Sequence, residues 1–290
     1  MPRESVLIII PAYNEELTIG SVVALSKRYG DVLVVDDGSQ DRTTKIASSC
    51  GAHVLRHEKN KGKSAALETG FRYALEKNYD IVVTLDADGQ HDPDFIPSVI
   101  EPILRGDADM VIGSRTRGKN RIPLYRRFGL WILNKGTQIA SNLNIDSQSG
   151  FRAMRKELLE GIDLECEGYC VETEMIVKAL ERGFKIVEVP IEARYDVPHK
   201  HKRHPLLHGL ELLDNLLGLI GYRRPLLLFG SLSLISFACA VMLGYWALEP
   251  YYSGGHVYLT QAIGAGIFTV IGIQLLIAGF TLNVLAKMVR

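Results

Sequence analysis

The amino-acid sequence predicts an α/β protein, a doubly wound and mostly parallel sheet, with amphipathic interface helices and a C-terminal pair of membrane-spanning helices. Three observations predict it. Short β-branched runs alternate with helical stretches over the first half of the chain, the pattern of a parallel sheet with crossover helices. Several of those runs end in acidic, glycine-containing turns. Two long stretches near the C-terminus carry no charge at all.

The elements follow in order. Val6 to Ile10 reads as a first strand ending at Pro11, with a helix expected from Glu15 to Tyr29. Val32 to Val35 is a second strand, running into Asp36-Asp37-Gly38-Ser39, and Asp41 suits the cap of the next helix. His53 to Arg56 is a short third strand, and Lys63 to Lys77 a helix. Ile81-Val82-Val83-Thr84-Leu85 is a continuous apolar run ending at Asp86, as expected of a strand buried on both faces. A helix over Asp94 to Leu104 and a strand over Met110 to Gly113 follow. No G-x-G-x-x-G opens the first helix, which disfavours an ordinary dinucleotide-binding fold.

Beyond Arg224 the composition changes. Leu226 to Leu248 is 23 residues without a charge and Ala262 to Ala286 is another 25. At helical rise these would extend roughly 34–38 Å, enough for a hydrocarbon core of about 30 Å. A buried soluble hairpin rarely stays uncharged for so long. Arg223 and Arg224 precede the first span, Lys287 and Arg290 follow the second, and the loop Glu249 to Gln261 has no Lys or Arg. The positive-inside rule then puts both termini and the α/β part in the cytoplasm of a two-span membrane protein. The organisation expected is a catalytic domain over 1–203, an amphipathic interface helix over 204–224, and the hairpin over 225–290. No cleavable leader is expected, because Met1 to Glu4 leads directly into a core strand. A hairpin of this kind can form homo-oligomers, but nothing in the sequence sets a stoichiometry.

Net charge is zero, yet Arg115 to Lys135 holds seven basic residues and no acidic one. Lys200, Lys202, Arg203, Arg223 and Arg224 form a second block. Such blocks suit anionic headgroups or a phosphate-bearing substrate, or are simply solvated faces. No nucleic-acid partner is expected. Pro123 to Leu143 and His204 to Tyr222 mix basic and apolar residues at helical spacing, as headgroup-level helices do. The His199, His201, His204 and His208 cluster is interleaved with Lys and Arg and suits phosphates better than a transition metal. Cys50, Cys166, Cys170 and Cys239 show no zinc-like pairing and fit a reducing compartment.

The chemistry concentrates at strand ends. Asp86 and Asp88, separated by one residue where open α/β sheets bind ligands, repel each other and pack nothing. They suit a divalent cation held through hard oxygens, with a substrate diphosphate completing the shell. Pro11-Ala12-Tyr13-Asn14-Glu15 and Asp36-Asp37-Gly38-Ser39 fall on the same edge, where Tyr13 can pack a base and Glu15 or Asp37 can accept hydrogen bonds. Asp36 or Asp37 taken singly could be a helix cap. Three acidic strand ends together point to a nucleotide-activated substrate.

These stretches, with Lys61-Gly62-Lys63, D-A-D-G-Q-H, Gly113-Ser114-Arg115 and Asp146-Ser147-Gln148-Ser149-Gly150-Phe151-Arg152, resemble the family 2 glycosyltransferases of GT-A fold. More closely they resemble the dolichyl- and polyprenyl-phosphate sugar synthases, over about residues 5–200. The resemblance implies that Asp88 and Gln90 coordinate Mg2+ or Mn2+, with Asp86 bridging metal and nucleotide. It implies that Pro11, Tyr13, Glu15 and Asp37, with Asp36 and Lys63, bind the nucleotide-sugar donor. Arg115 and Arg126 would face the donor diphosphate and the acceptor phosphate, with Asp88 beside them at the reacting centre, and Arg194 would support the leaving group. The expected reaction is inverting transfer of a hexose from UDP-glucose, UDP-N-acetylglucosamine or GDP-mannose to a polyprenyl or dolichyl phosphate in the bilayer. An acceptor hydroxyl would instead need a carboxylate base, for which Glu172 and Glu174 are the candidates.

Overall fold

The computed structural model describes residues 4–115, 145–146, 149–162, 171–194, 225–255 and 257–288. The chain divides into two compact units, 1–213 and 214–290.

The first unit is built on a seven-stranded sheet of order β3-β2-β1-β4-β6-β5-β7. Its strands are β1 (Val6–Ala12), β2 (Asp31–Asp36), β3 (His53–Arg56), β4 (Ile81–Thr84), β5 (Met110–Ser114), β6 (Arg152–Arg155) and β7 (Ile186–Pro190). Only β6 runs antiparallel, inserted between β4 and β5. On one face Ile8, Ile10, Val34 and Val83 pack under α1 (Ile19–Ser26), α2 (Thr43–Ser49) and α4 (Ile96–Leu104). On the other, Leu7, Ile9, Leu33 and Val82 pack under α3 (Lys63–Glu76), α5 (Lys156–Gly161) and α6 (Val171–Glu181). The alternation of neighbours along β1 between the two cores explains why the run carries no polar face.

Two departures from the sequence expectation have physical causes. The first helix begins at Ile19, not at Glu15. The amides of Asn14, Glu15 and Glu16 donate instead to Ser39 Oγ, Thr43 Oγ1 and Asp41 Oδ2, and Asn14 takes a φ of 56°. The Glu15 carbonyl accepts the Thr18 and Ile19 amides at 3.2 and 3.0 Å, so residues 16–18 form a turn leading into the helix, and tertiary acceptors satisfy the orphan amides ahead of it. Asp41 also accepts the Thr43 amide at 2.9 Å, so it caps from one position ahead of the N-cap residue Arg42. The first strand, conversely, runs through Pro11 to Ala12. The Ile9 carbonyl accepts from Leu85 on the β4 side and the Ala12 carbonyl from Asp37 on the β2 side. By alternation Pro11 faces β4, beyond β4's last paired residue Thr84, so its missing N–H breaks no ladder bond.

The second unit consists of α7 (Pro225–Gly254) and α8 (Leu259–Met288). Within them Pro225–Tyr251 and Leu259–Leu285, 27 residues each, are long and apolar enough to cross a membrane. The two helices meet through small residues. A Cβ on Gly272 would lie 3.0 Å from the Phe237 ring, and one on Gly279 the same distance from Phe229 Cβ. Ser233 and Ser236 donate across the pair to the Gly272 and Phe268 carbonyls at 2.7 and 2.6 Å. Close approach at glycine and interhelical hydroxyl bonds are how helices associate where hydrophobic burial gives no drive. Leu234, Ile235, Ile277 and Val284 remain exposed on the outside of the pair.

Candidate active site

β1, β2 and β4 are mutually parallel, so their carboxyl ends open on one edge. The β2 end is an internal scaffold. Asp36 is fully buried; Oδ1 accepts the Ser39 amide at 2.8 Å and Oδ2 accepts the Thr44 hydroxyl. Asp37, also buried, accepts the amides of Lys61 and Gly62 at 2.9 and 2.7 Å and contacts His57 Nδ1 at 2.7 Å. It thereby fastens the loop leading into α3. A Cβ on Gly38 would approach the Lys59 backbone to 2.8 Å, and Gly38 has a φ of 77°. The turn and the loop lie backbone to backbone, a contact that only glycine permits.

The β1 end carries Tyr13, exposed, and Glu15, half-buried. Burial pushes the Glu15 carboxyl up to about 7; its bond from the Thr18 hydroxyl works against this, and the negative charges of Asp88, Asp41 and Asp86 add to it. Acidic groups from two strand ends therefore crowd one place.

At the β4 end, Asp86 keeps about a quarter of its side chain exposed, and Lys63 Nζ donates to its Oδ1 at 2.7 Å. Burial alone would raise its pKa, but the charges of Lys63, His91 and Arg115 hold it down at about 2. Burial lowers the pKa of His91 itself to about 4, so near neutral pH only the lysine and arginine act. His91 Nδ1 lies 3.9 Å from Asp86 Oδ2, and neither ring nitrogen has a hydrogen-bond partner among the described residues. Gly150 packs beneath the carboxylate: a Cβ there would meet its two oxygens at 2.5 and 2.6 Å. Asp88 folds back to accept the Gln90 amide at 2.9 Å.

Arg115 is gripped by Asp146. Its Nε and Nη2 donate to the two carboxylate oxygens at 3.0 Å each, and its amide donates at 2.9 Å. Asp146 is fully buried, and its own amide donates to Glu188 at 2.6 Å. The arginine is thus a fixed cation beside the site. Arg194 donates to Asp92 at 2.8 Å, and its amide donates to the Gln90 carbonyl at 2.8 Å. A residue 102 positions away is in this way tied to the D-A-D-G-Q-H loop. Glu174 is paired with Lys178 one turn along α6 at 2.9 Å. Arg126, the Glu172 side chain, the two amphipathic stretches and the histidine cluster lie outside the described residues.

The structure brings Glu15, Lys63, Asp86 and Asp88 together and shows Asp36 and Asp37 to be held by protein donors. Sequence reasoning missed His91 and Gly150 as parts of the same cradle; both stand in quoted motifs, but the turn that brings His91 back beside Asp86 and the 64-position contact of Gly150 leave no trace in composition or periodicity. Among the described residues no three His, Cys, Asp or Glu side chains are grouped to hold a metal by themselves.

Residues 7–162 match the family described as Glycosyl transferase family 2. The chain is a family 2 glycosyltransferase. It is 35% identical over 220 residues to the UDP-N-acetylglucosamine–dolichyl-phosphate N-acetylglucosaminyltransferase of Methanococcus voltae, covering 67% of this chain and 88% of that one. It is 38% identical over 202 residues to the undecaprenyl-phosphate mannosyltransferase of Micrococcus luteus, covering 64% and 82%. The fold of this glycosyltransferase is similar to the glucosyl-3-phosphoglycerate synthase of Mycobacterium tuberculosis, solved with Mn2+, UDP and phosphoglyceric acid. There the TM-score is 0.60 and the identity 26%, over 75% of this chain and 79% of that one.

Proposed function

We propose that this glycosyltransferase moves a hexose from a UDP-sugar to a polyprenyl or dolichyl phosphate, inverting the anomeric configuration. The observation that carries the reading is the β4 end: two carboxylates and a lysine on an edge shared with the ends of β1 and β2. Relatives named for lipid-phosphate acceptors support the acceptor class, and the UDP in the M. tuberculosis enzyme supports the nucleotide.

A divalent cation fits this chain. Asp86 and Asp88 are hard oxygen donors, and the negative charges of Asp88 and Asp86, which add to the effect of burial on Glu15, are what such a cation relieves. Two carboxylates are too few to enclose a metal, so diphosphate oxygens would complete its shell, as Mg2+ prefers. Asp86, Asp88 and Gln90 would hold Mg2+ or Mn2+, which when bound supplies charge stabilisation to the leaving nucleoside diphosphate.

The other residues bind and orient. Pro11 and Tyr13 pack the base, and Glu15 accepts from base or ribose. Asp36 and Asp37 act by shaping the nucleotide's wall. Lys63 and Arg115 offset diphosphate charge, Arg194 supports the leaving group, and Arg126 receives the acceptor phosphate. That phosphate is ionised near neutral pH, its second pKa being about 6, so it attacks without a general base. Attack from the face opposite the diphosphate converts an α-linked donor into a β-linked lipid-phosphate sugar. Residues 1–203 form the catalytic domain, 204–224 an interface helix, and the C-terminal pair anchors the chain in the cell membrane with both termini cytoplasmic.

The test uses the detergent-solubilised chain with polyprenyl phosphate, Mg2+ or Mn2+, and radiolabelled UDP-glucose, UDP-N-acetylglucosamine and GDP-mannose. Label moving into the organic phase from a UDP-sugar, and abolished by chelator, is the expected result. Transfer only to a glycan hydroxyl would overturn it and direct attention to Glu172.

A further inference from the structure

We propose that the Lys63 ammonium is a resident cation in the metal seat, so that a divalent ion binds tightly only when a nucleotide diphosphate draws the lysine away. This rests on the proposed metal and nucleotide site and assigns Lys63 a second role within it.

The contact is specific. Lys63 Nζ lies 2.7 Å from Asp86 Oδ1, with each side chain about three-quarters buried. Asp86 cannot turn aside to serve both cations, because the Gly150 backbone packs against both its oxygens; a Cβ there would stand 2.5 and 2.6 Å from them. The carboxylate is fixed, so the lysine is the part that moves. An ammonium in contact with a carboxylate and a divalent ion on the same carboxylate repel each other strongly at such separations.

The lysine is also equipped to move. Its backbone is anchored, since Asp37 accepts the amides of Lys61 and Gly62 immediately before it. Lys63 begins α3 directly after Gly62 at a φ of 94°. Beyond that backbone is a flexible four-carbon stem ending in a compact charge that suits phosphate as well as carboxylate. The D-D-G-S turn thus holds the K-G-K loop, and the loop places its lysine on the D-A-D motif. A diphosphate arriving at this edge offers Lys63 more negative charge than Asp86 does, and the lysine's departure leaves the fixed carboxylate to the metal. Linkage makes the effect reciprocal: the nucleotide tightens the metal, and the metal the nucleotide, by one factor.

The experiment measures Mn2+ binding by loss of the free-ion EPR signal, using the full chain in detergent with and without UDP. For the natural sequence, UDP is expected to tighten Mn2+ by at least about tenfold, the equivalent of one unit of pKa. Lys63→Met and Lys63→Gln are expected to bind Mn2+ alone at least about tenfold tighter than the natural chain, with little further gain from UDP. Lys63→Arg, which keeps the cation, should behave like the natural chain. Equal Mn2+ affinity with and without UDP in the natural chain would overturn the proposal without any variant. So would either neutral variant, if it folds and binds Mn2+ alone no tighter than the natural chain. A natural chain that fails to bind Mn2+ even with UDP would overturn the metal site itself, a result distinguishable from failure of the lysine's role.

Discussion

The ends of β2 and β4 look alike in sequence and differ in what their carboxylates touch. Asp36 and Asp37 are buried and saturated by protein donors from Ser39, Thr44, Lys61, Gly62 and His57. Asp86 is partly open, accepts from no backbone amide among the described residues, and faces only cationic or titratable side chains. A carboxylate filled by amides is a structural knot, whereas one paired with a side-chain ammonium is the one proposed to exchange. In the proposed site the β2 motif builds the wall and the β4 motif receives the ligand.

That contrast can be broken at either end. The largest effect is expected at the receptive end: Asp88→Ala should lower sugar transfer by about a hundred- to a thousandfold, the scale of losing a main electrostatic group. The thermal midpoint should move little, because a crowded negative charge has been removed. Equal loss of activity and stability would show that Asp88 is a scaffold residue. Asp37→Ala should do the reverse. Two part-buried amides and His57 lose their acceptor, at about 3 kcal/mol, lowering the thermal midpoint of the detergent-solubilised chain by roughly 6–12 °C. An unchanged midpoint would refute the scaffold assignment.

Gly150→Ala sharpens the comparison from beneath. Its Cβ would press on both Asp86 oxygens and should weaken Mn2+-dependent UDP binding by about tenfold, with stability lowered by about 1–3 kcal/mol. Titration calorimetry and thermal melts read the two effects separately. The smallest effect is on pH dependence. The folded pKa of Glu15 is raised from 4.5 to about 7, so folding favours its protonated form. Its stabilising contribution is complete below 4.5 and is lost as pH rises through about 7. In cation-free buffer, Glu15→Gln should flatten the decline of the thermal midpoint across that window. An unaltered slope would mean that burial does not raise the Glu15 carboxyl in the folded chain.

Much of this was legible beforehand because it is local. His53–Arg56 reads as a strand from its residues alone, and Ile81–Leu85 announces a strand buried on both faces through an unbroken apolar run. The antiparallel β6, Arg152–Arg155, is four residues long and carries two arginines; its place between β4 and β5 comes from pairing with them. The entry to α1 escaped for a similar reason: its amides at Asn14, Glu15 and Glu16 are held by Ser39, Thr43 and Asp41 from across the fold, and a turn over 16–18 leads into the helix.

Composition and periodicity by themselves determined the α/β class, the two apolar C-terminal helices and the strand ends where the acidic groups gather. Each follows from side-chain chemistry repeated at a fixed backbone period. Only the tertiary structure decided that Asp37 is spent on the Lys61–Gly62 loop, that Lys63 rests on Asp86, and that Gly150 holds that carboxylate in place. These contacts join residues 23 to 64 positions apart. Whether a carboxylate is filled or available depends on which donors the folded chain brings within about 3 Å of it.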